Sequence, residues 1–154
     1  KQAIWICSKQ QPDGAFSDGV SAASVFEQTS EAVEALALLG ELDRANGSAC
    51  AGWLRQHWSS SKQTVADAFH VVRGLHHLDE LDDDLRTELL EYWIPEHRVL
   101  VARLRADFHT EAVVQFVHVV EAAYRGRQDE IDEVLTPIMP GLEKARDRLC
   151  GSGT

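Results

Sequence analysis

The chain predicts an all-α fold of about nine helices. Three observations carry that prediction. Apolar residues recur at helical spacing along almost the whole length. No stretch alternates with a period of two, as a half-buried strand does. Turn and capping residues, rather than long polar tracts, separate the apolar runs. With 154 residues, 44% of them hydrophobic, the chain is long enough for one ordinary domain with a sizeable core. It reads as a single helical domain over residues 1–150 with a flexible tail at 151–154.

The elements follow in order. Residues 2–10 carry Ala3, Ile4, Ile6 and Cys7 on a helical pattern that stops at the turn signal Pro12-Asp13-Gly14. Residues 15–28 are small, polar and glycine-bearing, an ordered loop anchored by Phe16, Val25 and Phe26. Ser30 is placed as the N-cap of the next helix, with Glu31 and Glu34 favourable in its first turn. Residues 32–39 are apolar nearly all round, which makes that helix central to the core. Asn46-Gly47 ends the unit. A helix over 49–58 is broken by Ser59-Ser60-Ser61-Lys62, and another spans 64–78. Asp82, Asp83 and Asp84 offer caps for a helix over 85–93. Ile94-Pro95 breaks it, with Pro95 at the first position of its successor. Thr110 caps a strong helix to Arg125, striped by Val113, Phe116, Val117, Val120 and Tyr124, and helices over 129–135 and 141–149 complete the chain.

Composition excludes several classes of function. Fifteen basic against twenty-five acidic residues give a net charge of −10, which argues against a phosphate-tracking nucleic-acid surface. No apolar run approaches the roughly 18–20 residues of a membrane span. No basic segment followed by an apolar one opens the chain, so no secretory signal is expected. Cys7, Cys50 and Cys150 are odd in number, widely spaced and without a Cys-x-x-Cys pair, so neither a disulfide framework nor a zinc or redox motif is expected. Cys7 and Cys50 read as small core hydrophobes, and reduced thiols fit a cytoplasmic setting.

Internal similarity is visible. Ala-Ile-Trp-Ile around Trp5 parallels Ala-Gly-Trp-Leu around Trp53, and a third unit is drawn around Trp93. The segment beginning at Thr110 aligns without gaps on the segment beginning at Ser30. Periods of roughly 40–50 residues belong to helical-hairpin repeats, which bury their apolar faces only by stacking.

In the first unit, Lys1, Trp5, Ile6, Gln10, Gly14 and Phe16 stand at the spacing of a known motif. The segment resembles the QW motif of squalene and terpene cyclases and the related repeat of protein prenyltransferase β-subunits. Gln2 departs at the small-residue position, and Phe16 stands where the cyclases usually have Trp. The second unit keeps Trp53 and Leu54 but has Trp58 at the Gln position. The motif-level match covers about the first 45 residues, and repeat-level similarity reaches about residue 125. The resemblance implies helical-hairpin repeats forming part of an α/α toroid, an incomplete ring. The motif has its own physics. A glutamine bonds free backbone groups at a helix end, an aromatic covers that end, and glycine permits the tight turn between them. The thioester domains of complement and macroglobulin proteins are similar toroids, but their Cys-Gly-Glu-Gln segment is absent from this sequence.

Chemistry is less legible than architecture. Terpene cyclases that protonate an alkene use a buried Asp among carboxylates. The nearest string, Glu80-Leu81-Asp82-Asp83-Asp84, lacks the first Asp of that motif; it offers Asp82 and Asp83 as catalytic candidates, but its place between two helices favours an exposed capping cluster. Neither an Asp-Asp-x-x-Asp magnesium motif nor an Asp-x-Cys zinc motif is present, and the cofactor stays open. His76 and His77 point to different helix faces and read as solvated. His118, between Val117 and Val119, reads as a satisfied, half-buried histidine or a ligand contact. Trp5, Phe16, Trp53, Phe116 and His118 are candidates to line an apolar cavity, where aromatic faces stabilise carbocations; packed core is the alternative for the aromatics. The functional expectation is a repeat domain that holds an isoprenoid-like ligand or forms part of a larger cyclase. The alternative is a non-catalytic helical module that binds a second protein chain.

Overall fold

A computed structural model describes residues 1–21, 23–60, 64–103, 110–125 and 127–138. Its described residues are helical, with no named strand and one isolated antiparallel bridge, Gln10 to Phe16. The helices are α1 (Gln2–Cys7), α2 (Val25–Leu38), α3 (Gly47–Ser60), α4 (Val65–His77), α5 (Asp83–Glu88), α6 (Ile94–Arg103), α7 (Thr110–Tyr124) and α8 (Gln128–Leu135). A 3₁₀ turn, Leu42–Arg44, precedes α3, and a π-helical segment, Leu89–Trp93, joins α5 to α6. The expected helix over 141–149 and the tail, with Cys150, lie outside the described residues. The stretch read as one domain packs as two compact units, Lys1–Leu81 and Asp82–Thr154.

In the first unit α2 lies along α4, its most extensive partner. Ser30 Oγ meets His70 Nδ1 at 2.7 Å, and four residues on, Glu34 pairs with Arg73 and lies 3.8 Å from His77 Nε2. Contacts that advance together along both helices mean that the two run in the same direction. Gly74 lets them approach closely: a Cβ there would lie 3.7 Å from Ser30 Cα and 2.9 Å from Leu54 Cδ1. Helix α3 returns against α4, with Gly47 facing Leu78 and Leu54 facing Gly74, so that pair is antiparallel. Val33, Leu36, Cys50, Leu54, Ala68, Val71 and Leu75 fill the space between. Burial pushes the Cys50 thiol up to about 12, which removes it from thiolate chemistry at neutral pH.

Two helix starts differ in how well sequence located them. Thr64 accepts from the Asp67 N–H while the Asp67 carboxylate accepts from the Thr64 N–H, a capping box where a boundary was expected. Helix α2, by contrast, begins at Val25, with Ser24 as the cap accepting from the Glu27 N–H at 3.1 Å. Ser30 is therefore not the cap. It is buried within the helix, and its hydroxyl lies 3.2 Å from the Glu27 carbonyl as well as against His70. Nor is α2 enclosed on all sides, because Leu38 is 81% and Leu39 45% exposed. Helix α3 also runs through Ser59 and Ser60, past the expected break.

The second unit corrects the expected break at Ile94-Pro95. An α-helix places a proline ring against the carbonyl four residues back and removes one ladder donor. Here the wider π turn over Leu89–Trp93 precedes that position, so helical backbone continues from Asp83 to Arg103. Helix α7 packs against α5, α6 and α8 over a core of Leu85, Leu89, Trp93, Val113, Phe116, Val120 and Ile131. No helix among the described residues is long and apolar enough to cross a membrane.

The α2–α4 seam has a pH signature. Burial, then the neighbouring charges of His76 and Arg73, push the His77 pKa below its ordinary 6.5. Glu34 opposes this, but it is paired more closely with Arg73. Folded His77 thus binds a proton more weakly than the unfolded chain does. Its contribution is fully present above about pH 6.5 and is lost as pH falls through that value towards the lowered one. The melting temperature of the first unit is expected to drop between pH 7.5 and 5.5. His77→Gln should remove part of that slope, and an unchanged slope in the variant would count against the assignment.

Candidate functional site

The site begins with the segment that follows α1. Gln10 projects its amide onto the start of α3: Oε1 accepts the Asn46 N–H at 2.9 Å, and Nε2 donates to the Asn46 carbonyl at 3.1 Å and the Gly14 carbonyl at 3.2 Å. Asn46 in turn accepts from the Ala49 N–H through its side chain at 3.1 Å. The Asn46 N–H, which has no partner within the helix, is thereby satisfied from a segment 36 residues away, and the Asn46 carbonyl, which already accepts from the Cys50 N–H, gains a second donor. Gly14 sits at φ 101° with its Cα against the backbone of Ala49 and Cys50, an approach that only glycine permits. Phe16, 1% exposed, is fixed by Thr29 of α2, whose hydroxyl accepts the Phe16 N–H at 3.0 Å. The expected glutamine clamp and glycine turn are both present. The aromatic that follows the glycine, Phe16, is buried beside the clamp, whereas Trp5 of α1 is 63% exposed.

These anchors shape a cavity of about 330 Å³ between α1, the loop and α2. Trp5, Ile6 and Phe16 form its apolar wall, and Ala32 and Ala35, one helical step apart on α2, leave the space open. Lys9 stands at the wall with Nζ 5.5 Å from the Trp5 ring centre, and Asp18 and Glu31 add carboxylates. The N–H groups of Val20 and Ser21 hold the Asp18 pKa below its ordinary value. A second, open recess of about 490 Å³ is bordered by Trp53, His57, Asp13 and Asp18. Trp53 stacks on His57 at 4.2 Å and meets Phe26 at 5.3 Å, so most of its surface is already covered.

The sequence-derived candidates separate on this geometry. Trp5 and Phe16 share the smaller cavity, and Trp53 borders the neighbouring recess. Phe116 and His118 belong to the second unit. Phe116 is fully buried and stacked on Trp93 at 5.7 Å, which makes it core. His118 is not half-buried: its side chain is 58% exposed, with Nδ1 3.8 Å from Glu121. It stands two residues from Phe116, about 200° round the helix and off the apolar stripe. Asp82 caps α5 by accepting the Leu85 N–H at 2.9 Å. Asp83, with its side chain 80% exposed, pairs with Arg125 at 2.9 Å. These are cap and ion-pair settings, without the burial that keeps a catalytic carboxyl protonated. Among the described residues, no three His, Cys, Asp or Glu side chains gather into a metal-binding group.

Sequence reading did not single out Lys9, Thr29, Ala32, Ala35 or Asn46. Ala32 and Ala35 carried a usable signal, small residues three apart on one helix face. From sequence, Asn46 reads only as a turn residue. Comparison with protein-family models, with curated proteins and with solved structures finds no match to this chain.

Proposed function

We propose that the chain is a helical-hairpin domain of the α/α-toroid type that holds an isoprenoid-like apolar ligand, alone or as part of a larger cyclase-like protein. The observation that carries this reading is the cavity bounded by Trp5, Phe16 and the Ala32–Ala35 face of α2. Its wall is built by the same segment that carries the resemblance to the QW motif. Three features support the architecture. The Gln10 clamp joins one hairpin to the next, α2 and α4 run parallel as stacked hairpins require, and aligned positions share burial, Val33 with Val113 and Leu36 with Phe116. A volume of about 330 Å³ lies within the range of small-molecule pockets, and aromatic walls with small residues opposite suit an unsaturated chain.

The test is thermal unfolding in the presence of farnesol and geranylgeraniol, which lack phosphate, and of their diphosphates. Ligand at a hundredfold excess over Kd adds about 2.7 kcal/mol, or about 5–10 °C for a chain of this size. Ala35→Phe is expected to fill the cavity and abolish that shift while leaving the unliganded protein folded. A wild-type protein indifferent to all four compounds would end the ligand reading. The second reading, a non-catalytic helical module that binds another protein chain, would then lead. It is favoured by the exposure of Ile4 and Trp5 at 63% each and Leu38 at 81%.

A further inference from the structure

Three arginines gather at one place on the second unit of a chain whose net charge is −10. Arg86, Arg125 and Arg127 line one recess of about 310 Å³, together with Thr87, Leu90 and Tyr124. We propose that this recess is a binding site for a phosphoryl group, a tetrahedral oxyanion carrying two negative charges.

Three observations carry the proposal. First, Arg86 and Arg125 share one carboxylate: Asp83 Oδ1 lies 2.9 Å from Arg125 and 4.0 Å from Arg86. That carboxylate belongs to a side chain 80% exposed, so water screens it and an incoming anion can displace it. Second, the Arg86 side chain is only 15% exposed and donates to the Ala122 carbonyl, which holds it in place. Its Nε is buried and has no hydrogen-bond partner among the described residues. A guanidinium presents five donors in a planar fork that matches phosphoryl oxygens. Burial, then the nearby charge of Arg125, push the Arg86 pKa down against the opposing pull of Asp83 and Asp82. Third, Arg125 follows the last residue of α7 at φ 50°, a position that glycine fills without strain. A cation at a helix C-terminus complements the dipole, but that does not require the left-handed backbone or three arginines in one recess. Arg127 is held over the Tyr124 ring at 5.2 Å and against Glu130 at 2.9 Å, which keeps the third guanidinium at the rim. Burial raises the Tyr124 pKa, so the phenol on the wall keeps its proton as a further donor.

Titration calorimetry with inorganic phosphate at pH 8 and low salt tests the site, with chloride at matched ionic strength as the reference. Saturable binding of one phosphate is expected. Arg125→Gly should weaken it at least about tenfold while leaving the melting temperature equal or higher, because strain leaves with the side chain. Asp83→Asn should tighten binding by removing the resident competitor. Arg44→Gln, in an exposed pair with Glu41 on the first unit, should leave binding unchanged. Phenyl phosphate distinguishes the sources. Affinity equal to that of phosphate marks a site for the free anion, and tighter binding marks one for a phosphorylated organic ligand, with Leu90 and Tyr124 taking the organic part. Absence of saturable binding overturns the proposal, as does binding that Arg125→Gly and Arg127→Gln leave intact or that Arg44→Gln weakens equally.

Discussion

Replacing Gly14 with alanine is expected to cost the first unit about 2–5 kcal/mol. Two effects add. At φ 101° an L side chain is strained, by about 1–2 kcal/mol. The new Cβ would also lie 2.6 Å from Cys50 N and still closer to the Ala49 carbonyl. Backbone at the start of α3 cannot swing aside as the end of a flexible side chain can, so an overpacking cost of about 1–3 kcal/mol follows. For a chain of this size, each kcal/mol moves the melting temperature by about 2–4 °C. A fall of about 4–20 °C in the first unit's transition is the expected result, read by calorimetry. Gly19, at φ 73° with open space around its Cα, is the internal comparison. Gly19→Ala carries only the strain, so a loss as large as that of Gly14→Ala would remove the packing explanation.

Phe116→Ala is expected to cost the second unit about 3–5 kcal/mol, the range for emptying a fully buried aromatic site. Phe116 has no exposed surface and stacks on Trp93 at 5.7 Å, with Val113, Val119 and Val120 buried beside it on the same helix. Urea unfolding followed by tryptophan fluorescence reads the loss, because Trp93 reports from this unit. The variant also separates two roles that the sequence left open. A residue that lines a ligand cavity is replaced at little cost in the unliganded state, whereas a core residue is not. A loss under about 1 kcal/mol would return Phe116 to the cavity-lining role.

Local signals were the reliable ones. The cap at Asp82 and the helix boundary at Thr64 depend on residues within three positions, and both were legible, although the Thr64–Asp67 capping box itself emerges only in the structure. Ser24-Val25-Phe26-Glu27 carried the same kind of signal for α2, but glycine and polar residues around it made the stretch read as loop. The stripe on α7 was read correctly at Val113, Phe116 and Val120, whereas the apolar run on α2 concealed an exposed side at Leu38 and Leu39. Trp5 and Trp53 match in sequence yet differ in environment, 63% against 8% exposed, because burial depends on which helices pack over each indole. Candidates named from residue type alone, Phe116 and His118 among them, separated into core and surface once the helix faces were known.

The sequence by itself determined that the chain is helical and that Asp82 caps α5. It also determined that Gln10, Gly14 and Phe16 act together, since these features depend on propensity, short-range hydrogen bonds and spacing. Only the tertiary structure decided that Gln10 clamps Asn46, that α2 and α4 run parallel across Ser30 and Gly74, and that a π turn precedes Pro95. It also brought Arg86 and Arg125 to one carboxylate. Each of these joins groups distant in sequence or resolves a clash among competing local preferences, and the packing of whole helices, not the preference of any one residue, sets the outcome.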